Sequence, residues 1–158
     1  MRPIAIAFGS NLGARGANIH AAADAVARLL DNFSLSSLIE TAPVGAGLEQ
    51  DPPYLNAVGV GHSARPAREI FESLRAIESA GGRTRPYPGA PRTLDLDLIL
   101  AGGEVIDEGD LQVPHPRFRD RLFVLDPLAE IAPDLVDPVT RLTIRQLRDR
   151  VHANGPAR

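Results

Sequence analysis

The sequence predicts an α+β fold with the element order β-α-β-β-α-β, extended toward the C-terminus by further strands and helices. Three observations predict it. Apolar runs at 4–8 and 55–60 have the length of buried strands. Apolar residues recur at helical spacing between Asn18 and Leu30 and again after Pro66. The run Asp95-Leu96-Asp97-Leu98-Ile99-Leu100 alternates acids with branched apolar residues, as a strand with two unlike faces does. Taken in order, these elements make the split βαβ, or ferredoxin-like, arrangement.

Each element has a local reason. Ile4 to Phe8 form the first strand, and the cluster Gly9-Ser10-Asn11-Leu12-Gly13 turns the chain. Ile19, Ala22, Ala23, Val26, Leu29 and Leu30 make the apolar stripe of the first helix, which Asp31-Asn32 end. Phe33 to Glu40 suits a strand, since Phe33 and Leu35 alternate with serines. Thr41 to Pro53 is rich in proline and glycine and reads as a long loop. Leu55 to Val60 follows as a strand with Asn56 at its start. Pro66 opens the second helix in its favoured position, Ile70, Phe71, Leu74 and Ile77 form the stripe, and Gly81-Gly82 stop it. An Arg/Pro/Gly loop over 83–92 leads into the aspartate strand. Beyond residue 101 we expect a hairpin near 104–106, a turn at Pro114-His115-Pro116, a helix from Leu122 to Ile131 and a last helix from Thr143 to Val151. The tail from Asn154 to Arg158 should fray. Without repeats or low-complexity linkers, residues 1–158 read as a single domain with no room for a fused second enzyme.

Composition narrows the chemistry. The length of 158 residues suffices for a real core. No run of 18 apolar residues is present, so no membrane span is expected. The N-terminus enters a strand pattern directly rather than through a basic leader, which makes a cytoplasmic location the expectation. The absence of cysteine excludes disulfides, zinc–thiolate sites and cysteine nucleophiles. A net charge of −3 argues against general affinity for nucleic acid. All 17 basic residues are arginine. A chain without lysine cannot run Schiff-base, P-loop or protein-kinase-type phosphate chemistry. Any phosphate it handles falls to arginine's planar fork. GC-rich codon usage accounts for the bias, but the exclusions hold either way.

On a strand, Asp95 and Asp97 project to one face while Leu96, Leu98 and Leu100 fill the opposite, core face. Paired carboxylates repel unless a cation neutralises them. Mg²⁺ is the natural candidate, a hard ion that takes oxygen ligands and bridges to phosphates. Alone, the pattern also fits a half-exposed strand with two solvated acids. Its surroundings change the balance. Arg83, Arg85 and Arg92 precede the pair, and His115, Arg117, Arg119 and Arg121 follow it. Any one of these arginines suits a surface ion pair. Six around an Asp-x-Asp strand suit a metal–polyphosphate site.

With those residues in place, the sequence resembles the 6-hydroxymethyl-7,8-dihydropterin pyrophosphokinase family of folate biosynthesis over nearly its whole length. The most specific part is Pro91-Arg92-Thr93-Leu94-Asp95-Leu96-Asp97-Leu98-Ile99. Gly9-Ser10-Asn11-Leu12-Gly13, Tyr54-Leu55-Asn56-Ala57, Ile77-Glu78 with Gly82-Arg83-Thr84-Arg85, and Val113-Pro114-His115-Pro116 with Arg121 and Phe123 match in order. The resemblance implies the ferredoxin-like fold and transfer of pyrophosphate from ATP to the pterin's hydroxymethyl group, releasing AMP. It implies that Asp95 and Asp97 hold two Mg²⁺ ions and that Arg83, Arg92 and Arg121 serve catalysis. It places Glu78, Arg85, Arg92, Leu98, His115 and Arg121 on the nucleotide. It places Thr41, Pro43, Val44, Tyr54, Asn56 and Phe123 on the pterin, with Tyr54 and Phe123 stacking and Asn56 pairing with the ring edge. Glu78 is equally readable as a helix-surface acid, Leu98 as a core residue and Phe123 as core packing. His20, His62 and His152 match nothing and read as surface residues. A monomer acting on small molecules alone, without nucleic acid or membrane, is expected.

The chain also departs from the pattern. Many family members carry Trp-Gly-Pro-Arg before the aspartate strand, where this chain has Gly89-Ala90-Pro91-Arg92 and no tryptophan. Pro86 and Pro88 stiffen that loop, and Tyr87 is the available aromatic substitute. Two rival readings are a different metal-dependent phosphotransferase on the same scaffold and a non-catalytic binding domain. Tyr54, Asn56 and Phe123 argue against the first, and the second predicts tolerance of Asp95→Ala.

Overall fold

The computed structural model describes residues 1–41, 53–81 and 94–154. Its elements run β1 (Arg2–Ser10), α1 (Arg15–Ala27), β2 (Asp31–Leu35), β3 (Ile39–Thr41), β4 (Tyr54–Ser63), α2 (Ala67–Ala80), β5 (Asp95–Ala101), β6 (Ile106–Glu108), β7 (Leu111–Val113), a 3₁₀ turn (Phe118–Asp120), α3 (Leu122–Ile131) and α4 (Ile144–Asn154). The main sheet has the order β2-β4-β1-β5, with β3 also on β4. β1 is antiparallel to both of its neighbours. This is the ferredoxin-like α+β arrangement the sequence predicts, with one strand of the predicted set divided into β2 and β3.

Both faces of the sheet are buried. On one face Ile4, Ile6 and Phe8 of β1 pack with Ile19 and Val26 of α1 and Ile70 and Leu74 of α2. On the other, Ala5, Val58 and Ile99 pack beneath Leu125 and Leu128 of α3 and Leu147 of α4. The C-terminal helices thus close the second face. Gly59 gives room on the first: Phe8 and Phe33 meet edge to face with ring centres 6.3 Å apart, a favoured aromatic geometry.

Several expectations need correction. Asp31 and Asn32 do not end the first helix. It stops at Ala27, and both residues belong to β2, where Asn32 has φ +53°. Gly9 and Ser10 stay within β1 rather than in the turn, while Gly13 takes the left-handed φ of +71°. Pro66 caps α2 from just outside it. The C-terminal hairpin lies at 106–113, not 104–106. Leu100 does not share the face of Leu96 and Leu98. A bulge between Ala5 and Ile6 shifts the register, so Leu100 pairs with Ala5 and joins the second core. His62 is half-buried within β4 rather than on the surface. The helix Leu122–Ile131 matches its expected bounds. Among the described residues no helix is long and apolar enough to cross a membrane.

Candidate functional site

One row of residues crosses the sheet on the face covered by α3 and α4. Thr41 stands opposite Tyr54. Asn56 stands opposite Gly9, and Gly9 opposite Asp95, with Asp97 opposite Ala7. Residues two apart on a strand share a face, so Tyr54, Asn56, Asp95 and Asp97 all present to this side. Asn56 is buried and its Nδ2 donates to Thr41 Oγ1 at 2.8 Å. That bond commits one of the two Nδ2 hydrogens and turns Oδ1 toward Gly9. A Cβ on Gly9 would lie 3.5 Å from Asn56 Oδ1, 3.8 Å from Tyr54 Cδ1 and 4.0 Å from Asp95 Cβ. Glycine here leaves a gap whose walls are an amide, an aromatic ring and a carboxylate. Phe123 sits half-buried on α3, the helix that packs over β3 and β4.

Alongside β5 lies a cavity of about 480 Å³, bounded by α2, the β6–β7 hairpin and the segment 115–121. Asp95, Asp97, Glu78, Arg75, His115 and Arg121 line it. Its polar character follows from β5 being an edge strand, whose outward backbone groups need partners. Glu78 supplies one. It is buried, and its Oε2 accepts the Leu96 N–H at 2.8 Å. It is therefore not the surface acid that its place beside the apolar stripe allows. His115 supplies another, donating its backbone N–H to Ile99 O at 2.9 Å. Leu98 is buried in the first core and also reaches the cavity wall.

The electrostatics of His115 follow from this placement. Burial pushes its imidazole below the ordinary value, Arg121 and Arg117 push the same way, and Asp95 opposes them. Its Nδ1 accepts the Arg117 N–H at 3.2 Å. The neutral ring thus carries its proton on Nε2 and can donate there. Arg121 lies 5.5 Å over the Phe123 ring, just ahead of α3.

Not every expected residue arrives. Arg119, one of the six flanking arginines, turns away from the aspartates to the buried carboxylate of Asp137, with Nε–Oδ2 2.5 Å and Nη2–Oδ1 3.0 Å. Arg83, Arg85, Arg92, Pro43 and Val44 lie outside the described residues. Sequence reasoning also missed a cavity-lining pair. The pair is Phe71 and Arg75: Phe71, assigned to the apolar stripe, is half-buried, and the guanidinium groups of Arg75 and of Arg68 lie over its ring at 5.4 and 5.8 Å. The spacing 68, 71, 75 on one helix face was the available signal. Among the described residues no group of three or more His, Asp or Glu side chains could hold a metal. A cation here would take two carboxylates from the protein and complete its shell with water and phosphate oxygens. That donor set fits Mg²⁺ bound with a nucleotide.

Residues 5–133 match the family described as 7,8-dihydro-6-hydroxymethylpterin-pyrophosphokinase. The chain is 37% identical over 139 residues to the 2-amino-4-hydroxy-6-hydroxymethyldihydropteridine pyrophosphokinase of Haemophilus influenzae, covering 87% of this chain and 86% of that protein. It is 44% identical over 132 residues to the enzyme of the same name from Bacillus subtilis, covering 80% and 75%. The wild-type HPPK-DHPS structure of Plasmodium falciparum with pteroate superposes with a TM-score of 0.73 at 13% identity, over 96% of this chain. This chain spans 42% of that longer one, and the likeness concerns the fold.

Proposed function

The chain belongs to the 7,8-dihydro-6-hydroxymethylpterin-pyrophosphokinase family, and from that premise we propose that it transfers pyrophosphate from ATP to 6-hydroxymethyl-7,8-dihydropterin, a step of folate biosynthesis. One observation carries the site assignment. Asn56 and Asp95 flank Gly9 on adjacent strands, so the amide and the acid pair share one face of the sheet with only a glycine between them.

In this reading the pterin lies among Thr41, Pro43, Val44, Tyr54, Asn56 and Phe123. Tyr54 and Phe123 offer ring faces, and Asn56 Oδ1 accepts from the ring's N–H groups. The hydroxymethyl oxygen then points past Gly9 toward Asp95 and Asp97, which orient the acceptor against the triphosphate. Arg83, Arg85, Arg92 and Arg121 bind phosphate oxygens bidentately, and His115 donates from Nε2. Arg83, Arg92 and Arg121 act on the transferred group. Glu78 and Leu98 border the nucleotide. The pterin oxygen bonds to the β-phosphorus and gives up its hydroxyl proton to solvent, the bond from that phosphorus to the α-bridging oxygen breaks, and AMP leaves with that oxygen. Two Mg²⁺ ions held by Asp95 and Asp97 would neutralise triphosphate charge and lower the pKa of the attacking hydroxyl. Alignment of the reactants accounts for the remainder of the rate. We further propose one domain over 1–158 acting as a cytoplasmic monomer on small molecules, without nucleic acid or membrane.

The test is AMP release from ATP and Mg²⁺, with and without the pterin, for wild type and Asp97→Ala. Pterin-dependent AMP formation abolished by the substitution is expected. ADP formation, or no product, would defeat the reading.

A further inference from the structure

We propose that the Asp137–Arg119 ion pair is a positioning device for His115 and Arg121, acting from behind the cavity; this deepens the function proposed above and rests on it. Arg119 lies between those two residues in sequence, but its guanidinium points the other way. Asp137, fully buried, accepts from Arg119 Nε and Nη2 at 2.5 and 3.0 Å, from Thr140 Oγ1 at 2.7 Å and from Val139 N at 3.1 Å. Four donors converging on one carboxylate leave it a single orientation.

The tie reaches the cavity through short backbone links. The Arg119 guanidinium lies 5.0 Å over the ring of Phe118, which is fully buried in the second core. Phe118 N donates back to His115 O at 3.4 Å, and Arg121 N donates to Phe118 O at 3.2 Å. Arg121 O then accepts from Val124 N and Leu125 N at 3.0 and 2.9 Å, starting α3. The segment from His115 to Arg121 is thus a strap with only one turn of regular structure. Its two ends line the cavity and its middle is pinned from the far side. Segments with few backbone bonds of their own open easily, so a strap that must hold two phosphate-facing groups needs an anchor. A buried ion pair adds little stability over an apolar replacement of similar volume. A two-pronged arginine grip does fix direction and distance, which is what a strap requires.

The experiment measures AMP formation by wild type, Arg119→Lys, Asp137→Asn and the double variant Arg119→Met/Asp137→Leu, each checked for folding by circular dichroism. Wild-type, pterin-dependent AMP release tests the functional reading; the variants, taken relative to wild type, test this inference. The double variant removes the tie without leaving a buried charge, and its KM for ATP should rise about tenfold. Its KM for the pterin should stay within about twofold, because Tyr54 and Asn56 sit on β4 and not on the strap. Arg119→Lys keeps the charge balance but loses the fork, and should raise the KM for ATP about threefold. An unchanged KM for ATP in folded variants of an active enzyme overturns the inference, as does an equal rise in both constants. Should the double variant not fold, Arg119→Lys and Asp137→Asn decide by the same split.

Discussion

The carboxylate of Glu78 accepts the Leu96 N–H at 2.8 Å, on the edge of β5 and between Asp95 and Asp97. A helix side chain thereby fixes the strand that carries both acids. Removing it leaves a buried amide unpaired, at a cost of about 1–3 kcal/mol. Glu78→Ala should therefore lose stability of that order and most of the AMP-forming activity. Glu78→Gln keeps an acceptor of the same reach. Chemical denaturation and turnover measured on both variants separate the bond from the charge. Equal losses in the two would show that the charge, not the bond to Leu96, matters.

Gly9 separates Asn56 from Asp95, and a Cβ there meets all three of its neighbours at ordinary contact distances of 3.5–4.0 Å. Gly9→Ala should consequently fold with a stability change of about 0.5 kcal/mol or less. The added methyl occupies the gap where the pterin's hydroxymethyl arm would pass. The expected outcome is a KM for pterin raised by about tenfold at unchanged melting temperature. Steady-state kinetics with the pterin varied at saturating ATP checks it, and normal pterin affinity would move the substrate off this gap.

Much of this arrangement is legible in the sequence, and the exceptions share a cause. The alternation at 94–98 and the stripe of α2 are local signals, and the structure keeps both. Leu100 changes face because β5 bulges at Ile99 against β1, a feature set in the pairing with a strand some ninety residues away in sequence. Glu78 is buried because the edge of β5 needs an acceptor, which no helical pattern announces. Arg119 reads like its neighbours Arg117 and Arg121 until Asp137 is brought beside it by the return of the chain before α4. Periodicity reports which face a residue shares. It does not report which long-range partner claims it.

Gly59 shows the same dependence in the core. A Cβ there would come within 2.5 Å of Phe33 Cε1 and 3.0 Å of Phe8 Cε1. Neither ring can retreat without disturbing the Phe8–Phe33 edge-to-face contact. Overpacking of this kind costs about 1–3 kcal/mol. Gly59→Ala should lower the urea midpoint accordingly with an unchanged m-value. Because the rings lie on the face away from Asp95 and Asn56, KM values measured well below the melting temperature should stay as in wild type.

Acid should expose the Asp137–Arg119 pair. Burial alone would raise the Asp137 carboxyl, but hydrogen bonds from Arg119, Thr140 and Val139 outweigh it and hold the group at about 2, below its ordinary 3.8. A carboxyl depressed in the folded state binds protons more weakly there than in the unfolded chain. Its stabilisation is therefore complete above pH 3.8 and is lost as the pH falls through about 2. The shift corresponds to about 2 kcal/mol. Asp137→Asn cannot titrate, so the stability gap between wild type and variant should be widest at pH 5–7 and should narrow by about that amount toward pH 2. Urea unfolding of both proteins across that range measures the gap. A gap that stays constant with pH would mean that the folded and unfolded chains hold this proton equally.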